Sequence, residues 1–277
     1  MQTTLSIIGC GKLGRTLGRL WAQQGAFTVQ EILNRSSESA AKAIAFIGAG
    51  SVAESFAQLK PADVYLIGTS DDQIAATCRQ LAASGTLNPT SIVFHCSGAL
   101  GSRELDAASQ CGAAIASIHP IRSFASPEHT VANFAGTFCG VEGDARALAL
   151  LNPRFEAIGA KTVAIDGSKK VLYHGAAVLA SNYLVTLMDM ARNTYVEAGV
   201  APDVALAMLE PLVRGTVDNI LHSGPEAALT GPIARGDMAT VARQHAAMSA
   251  WRSDYGDLYA AFAALTAELA ARKKNRR

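Results

Sequence analysis

Leu5-Ser6-Ile7-Ile8 runs straight into Gly9-Cys10-Gly11-Lys12-Leu13-Gly14, a short apolar strand signal followed by the spacing Gly-x-Gly-x-x-Gly. Glycines so spaced allow a tight turn, a close approach of the backbone to a pyrophosphate, and close packing of the next helix on the first strand. Alone the pattern is weak. Its context strengthens it: an amphipathic stretch, Lys12 to Gln24, opens immediately after it, so the helix N-terminus would face the phosphates. The simpler alternative is an ordinary strand-to-helix turn. The dinucleotide reading makes Gly9, Cys10, Gly11, Lys12, Leu13 and Gly14 the cofactor-binding turn.

Outward from this turn, β-branched runs alternate with amphipathic stretches, the pattern of βα units. The remaining strand candidates are Val29 to Leu33, Val64 to Ile67, Ile92 to His95, Ala113 to Ile118 and Thr137 to Val141. Between them lie the helix candidates Ser37 to Phe46, Asp72 to Ala83 and Ala145 to Ile158. After about Asp166 the strand signals stop, and apolar residues recur at helical spacing through Lys170 to Ala198, Asp203 to His222, Asp237 to Ala250 and Tyr255 to Ala271. The expected fold is α/β: a doubly wound, mostly parallel Rossmann sheet over residues 1–165, then an all-helical domain over residues 166–277.

The chain has 277 residues, 49% hydrophobic and 17% charged, with 24 Lys plus Arg against 23 Asp plus Glu. That composition excludes disorder and gives no reason to expect nucleic acid as a partner. The basic end, Arg272, Lys273, Lys274, Arg276 and Arg277, reads as a frayed, solvated terminus. Five scattered cysteines without metal-ligand spacing suggest reduced thiols, a cytoplasmic setting and no metal. No secretory leader is expected, because the first apolar run breaks at once into glycines. Val171 to Met188 carries no formal charge, but its His174, Ser181, Asn182, Tyr183 and Thr186 suit a helix buried between helices better than a membrane span.

Where an NAD-selective site usually carries an acid, this chain has Asn34-Arg35-Ser36. These three groups can donate to a 2′-phosphate that a carboxylate would repel, so the expected cofactor is NADP. A solvated Arg35 in a surface turn is the alternative. The next strand end, Gly68-Thr69-Ser70-Asp71-Asp72, has small residues that let the chain pass the nicotinamide half, with Thr69 and Ser70 as contacts. Equally, Asp71 or Asp72 could simply cap the following helix. Two further strand ends supply His95-Cys96-Ser97-Gly98 and Ser117-Ile118-His119-Pro120, a polar wall suited to a small substrate.

The Gly-x-Gly-x-x-Gly turn, His95 to Ala99, Ser117 to Pro120, Tyr173 to Ala177 with Ser181-Asn182, and Leu229 to Asp237 together resemble a bacterial family described as Rossmann-like with a C-terminal domain of unknown function. That family is similar to pyrroline-5-carboxylate reductase, deazaflavin-dependent NADP oxidoreductases, ketopantoate reductases and prephenate dehydrogenase. The resemblance implies a helical second domain of the 6-phosphogluconate dehydrogenase type, often used to dimerise, and an active site in the interdomain cleft. Prephenate dehydrogenases carry a substrate-contacting His-Pro at the position resembling His119-Pro120. The chain departs from the hydroxyacid and ketopantoate enzymes in one respect. Four residues before Asn182, where they place a catalytic Lys, it has Val178.

With that lysine missing, His119 and His174 become the proton-donor candidates, each with a purely structural alternative. Ser97 and Asn182 would orient the substrate, and Arg235 would clamp a carboxylate unless it only pairs with Asp237. His174, Ser181 and Asn182 share one face if their stretch is a single helix. The expected activity is NADP-dependent hydride transfer to or from a small keto, hydroxy or imino acid, ketopantoate reduction being the specific expectation. The competing expectation is a noncatalytic NADP-binding sensor or dimeric module. Long apolar helices in the second domain also predict a homodimer through that domain.

Overall fold

A computed structural model describes residues 2–275 of the chain. It divides into two compact units, Met1–Leu179 and Ala180–Arg277. The first unit begins β1 (Thr4–Ile8), α1 (Lys12–Gln24), β2 (Thr28–Leu33), α2 (Ser37–Ile47), β3 (Ser51–Val52), β4 (Val64–Ile67), α3 (Asp71–Ala83) and β5 (Ile92–His95). It continues with α4 (Asp106–Gln110), β6 (Ala114–Pro120), α5 (Pro127–Ala132), β7 (Phe138–Gly143), α6 (Ala145–Glu156), β8 (Lys161–Ala164) and α7 (Lys170–Ala180).

The eight strands form one sheet in the order β3-β2-β1-β4-β5-β6-β7-β8. Every neighbouring pair is parallel except β6 and β7, where His119 lies opposite Gly140. The order reverses at β1, so the C-terminal ends of β1 and β4 open the crevice where ligands bind in such sheets. All side chains of β4 and β5 are buried, as expected for central strands covered on both faces. Trp21 is fully buried, meets Phe27 and Phe155 edge-on at 5.2 Å, and donates from its indole nitrogen to the Arg154 carbonyl at 3.1 Å. Burying a side chain of this size contributes about 1.5–3 kcal/mol.

The sequence placed the longer strands and helices of this unit closely but passed over the short helices α4 and α5 and the strands β3 and β8. Both strands lie at the ends of the sheet, and β8 has no buried residue. The close approach of α1 to the sheet also depends on a glycine outside the motif. A Cβ on Gly18 would lie 3.2 Å from Ile7 Cδ1 of β1 and 2.8 Å from Ile47 Cδ1 of α2, whereas one on Gly14 would lie 3.5 Å from Ile7 Cγ2.

The second unit is helical: α8 (Asn182–Glu197), α9 (Pro202–Ser223), α10 (Pro225–Ala228), α11 (Gly231–Arg235), α12 (Met238–Trp251) and α13 (Ser253–Asn275). Asn193 on α8 donates to the Tyr255 hydroxyl on α13 at 3.3 Å, Trp251 packs edge-on to Tyr255, and the Arg252 guanidinium lies 4.2 Å from the same ring. The Asp237 carboxylate caps α12 by accepting from the Thr240 amide.

Three expectations change here. Lys170 to Ala198 is not one helix: Ser181, at φ −124° and ψ −72°, interrupts it, so His174 and Asn182 share no helical face. Nor is Val171 to Met188 buried within the chain. Val171, Leu172, Leu179, Tyr183 and Val185 are exposed, and α8 has no buried residue. Finally, the basic end is not frayed as far as Asn275, because α13 runs through it and Lys273 donates to the Ala227 and Leu229 carbonyls. Arg276 and Arg277 lie outside the described residues.

Candidate functional site

The glycine turn is built by backbone hydrogen bonds and one amide side chain. Gly9, at φ +81°, donates to the Leu33 carbonyl, and Gly11 donates to the Gly9 carbonyl. A Cβ on Gly9 would lie 2.8 Å from the Thr69 amide nitrogen, so only glycine fits where β1 and β4 end side by side. Nothing lies within 4 Å of a Cβ built on Gly11, which faces open space. Asn34 Oδ1 accepts from the Cys10 amide at 2.6 Å, and Asn34 Nδ2 donates to Ser39 Oγ. Asn34 thus braces the turn. Ser36 caps α2 by accepting from the Ser39 amide at 3.2 Å.

This turn opens onto a cavity of about 750 Å³. Of the residues expected to hold a cofactor, Gly9, Cys10, Gly11, Asn34, Arg35, Ser36, Thr69 and Ser70 line it, while Lys12, Leu13 and Gly14 do not. Two groups missed by sequence also face it: Arg15, one turn into α1, and Glu54, which accepts from the Ser37 hydroxyl at 2.7 Å. Arg15 Nε and Thr69 Oγ1 are buried without a hydrogen-bond partner among the described residues. Unpaired buried polar atoms are costly, and a phosphate or hydroxyl in the cavity would satisfy both. Burial pushes the Cys10 thiol up to about 12, so it stays neutral beside the turn.

A second cluster lies at the adjoining strand ends of the same unit. His119, from β6, stands 5.6 Å from both His174 and Tyr173 of α7, each ring nearly perpendicular to it. His119 Nδ1 and the Tyr173 hydroxyl are 3.1 Å apart. Burial, with the nearby His174 and the Lys170 cation, lowers His119 to about 4, so the ring is neutral near pH 7. His95 is lowered to about 4 as well, chiefly by burial. Its Nδ1 accepts from the Ser97 amide, which leaves Nε2 to donate to the Gly101 carbonyl at 3.0 Å. His95 is therefore a structural residue.

Lys170 is the group that the sequence concealed. Its side chain is fully buried at the start of α7, and Nζ donates to the Ser97 carbonyl at 2.9 Å and to Ser117 Oγ at 2.5 Å. Glu142, on β7, stands 4.0 Å away and accepts from the amide and hydroxyl of Ser102. Desolvation lowers the Lys170 pKa while Glu142 opposes the shift. A buried cation of this kind is retained only where its donors are matched, and Lys170 ties α7 to the ends of β5 and β6.

Ser97 is placed differently from expectation. Its hydroxyl donates to Asp71 Oδ2 at 2.7 Å and accepts from the amides of Ala99 and Leu100. With one donor and two acceptor positions used, it shapes its loop rather than a ligand. The N-cap of α3 is Ser70, so Asp71 and Asp72 stand inside the first turn of the helix rather than at the cap position the sequence allowed. Among the expected catalytic residues the structure brings His119, His174 and Ser97 together. Asn182 and Arg235 belong to the second unit, exposed on α8 and α11 respectively.

The fold and these strand-end sites define a Rossmann-like protein. Residues 1–120 match the family model of the Rossmann-like domain, and residues 137–266 match that of the Domain of unknown function (DUF2520). The two matches follow one another along the chain in the arrangement its motifs resemble. Among solved structures it is similar to protein TM1727 from Thermotoga maritima, with 28% identity, a TM-score of 0.77, and coverage of 99% of this chain and 100% of that one. BF3122 from Bacteroides fragilis, provisionally described as an NADP oxidoreductase, has 20% identity, a TM-score of 0.77, and 96% and 98% coverage. Pyrroline carboxylate reductase from Plasmodium falciparum, solved with NADP bound, shares the fold at 10% identity and a TM-score of 0.60, over 97% and 98% of the two chains. No curated protein matches the sequence.

Proposed function

We propose that the protein is an NADP-dependent oxidoreductase acting on a small keto, hydroxy or imino acid, with ketopantoate-type reduction as the specific reading. The observation that carries this is a short covalent and hydrogen-bonded link. Residues 68–70 line the dinucleotide cavity, and the next residue, Asp71, holds Ser97 in the loop beside the two histidines. The cavity also fits a dinucleotide chemically, through the open face at Gly11 and the unpaired Arg15 Nε and Thr69 Oγ1. Two similar structures are described as an NADP oxidoreductase, provisionally, and as an NADP-bound reductase.

When bound, the nicotinamide supplies the hydride chemistry. Arg15 and Arg35 are the cations available to phosphate groups, and Arg35 is exposed at the end of β2 where a 2′-phosphate would sit. Glu54, on the same wall, is held by Ser37. His119, neutral at physiological pH, would donate a hydrogen bond to the carbonyl oxygen and polarise it for reduction, the product hydroxyl drawing its proton from water. The buried Lys170 supports the wall behind it.

A second reading, a noncatalytic NADP-binding sensor, draws on Val178 in place of the lysine of related hydroxyacid enzymes. Following NADPH absorbance with a panel of 2-keto and imino acids separates the two. Turnover with one member establishes the enzyme, and tight NADPH binding without turnover on any of them establishes the sensor.

The protein is further proposed to be a cytoplasmic homodimer associated through its helical unit. Leu206 and Leu212 on α9 and Val185 on α8 are each more than half exposed. Apolar surface of this extent on one chain is suited to a second copy of it.

A further inference from the structure

Two imidazoles face one glycine. A Cβ built on Gly98 would lie 2.8 Å from Nε2 of His119 and would meet Nδ1 of His174 as well. His174 Nδ1 is buried and has no hydrogen-bond partner among the described residues. On the opposite edge of the His119 ring, Nδ1 is paired with the Tyr173 hydroxyl at 3.1 Å. That hydroxyl rests against the backbone of Gly140, where any Cβ would collide with the phenol.

These contacts restrict where the protons lie. Burial raises the Tyr173 pKa, so the phenol keeps its hydrogen. Among the described residues His119 Nδ1 is the one hydrogen-bond acceptor in reach of the phenolic O–H, and a ring protonated on Nδ1 would leave that hydrogen without a partner. A neutral imidazole that accepts at Nδ1 carries its proton on Nε2.

We infer that Tyr173 is a positioning residue for His119: it fixes the neutral Nε2–H tautomer and aims that donor at a ligand oxygen lodged over Gly98, where His174 Nδ1 offers a second hydrogen-bonding position. The inference rests on the proposed function only for the identity of the ligand, a carbonyl or hydroxyl oxygen of the substrate. The charged and titratable groups facing the pair are Asp71 at the start of α3, Cys139 on β7, and Lys170 and His174 on α7. A neutral imidazole used as an aimed donor does not depend on a histidine pKa near neutrality.

Long-range ¹⁵N–¹H correlation spectra of histidine-labelled protein test this directly. In the wild type, His119 should show a pyrrole-type Nε2 and a pyridine-type Nδ1. In Tyr173→Phe both tautomers should appear, with kcat lowered on the order of tenfold and KM within about twofold of wild type. A wild-type ring protonated on Nδ1 overturns the inference even if the variant fails to fold. A folded variant whose tautomer ratio is unchanged overturns it as well, since a merely structural tyrosine would alter stability and leave the ratio alone. The spectra require no turnover, so an inactive protein with the expected tautomer would count against the proposed reaction and not against this assignment.

Discussion

The Ser97 hydroxyl donates a 2.7 Å hydrogen bond to Asp71 Oδ2, joining the loop after β5 to the first residue of α3. Asp71 directly follows the cavity-lining Ser70, and Ser97 directly precedes Gly98, against which both histidines pack. Removing the hydroxyl by Ser97→Ala leaves the Asp71 carboxylate and two backbone amides short of a partner. The expected cost is about 1–3 kcal/mol of unfolding free energy, read from denaturant titration. Turnover should fall more than NADPH affinity, because the cavity itself is intact.

The two arginines of the cavity have separable roles. Arg35→Asp should raise the KM for NADPH by about ten- to a hundredfold while changing that for NADH little, since a charge-assisted contact is worth about 1.5–3 kcal/mol. Arg15→Met should weaken both cofactors, because Arg15 lies one turn into α1 beside the glycine turn and its buried Nε lacks a partner that a phosphate common to both could supply. Steady-state kinetics with each nucleotide distinguishes the pair. Equal NADPH use by wild type and Arg35→Asp would remove Arg35 from the site.

The histidines also set a pH dependence with a definite sign. His119 and His95 are each depressed from 6.5 to about 4 in the folded protein. An unfolded chain therefore binds protons that the folded one refuses. The stabilisation they give is complete above pH 6.5 and is lost as pH falls from there through about 4. Thermal unfolding should show a lower Tm at about pH 5 than at about pH 7, and His119→Asn should reduce that difference. The acid limb of kcat/KM attributable to His119 should lie near 4.

Association through the helical unit predicts a dimer mass by light scattering at micromolar concentration without detergent. Leu206 and Leu212 are exposed on α9 at 56% and 57%, so charging both should cost the single chain little. The Leu206→Asp, Leu212→Arg variant is expected to run as a folded monomer. A wild-type monomer would refute the dimer.

Much of the first unit was legible because its central strands are continuous apolar runs punctuated by glycines, a local signal that tertiary packing does not override. The dinucleotide turn was legible for the same reason. Lys170 was not: at the start of a helix a lysine usually reads as solvated, and only the strand ends folding over it reveal its burial. Arg15 was hidden by its place beyond the glycine motif, where helical geometry alone turns it toward the cavity. The break at Ser181 left no trace because apolar spacing continues across it without glycine or proline.

The antiparallel pairing of β6 and β7 sets Gly140 opposite His119, and the phenol of Tyr173 occupies the space its missing side chain leaves. Positions 140 and 173 are consequently not free to drift apart in evolution or in a mutant library. A homologue that keeps the tyrosine must inherit the glycine with it. One that has replaced the aromatic ring by a small side chain is released to fill position 140, and the two substitutions should be found in company.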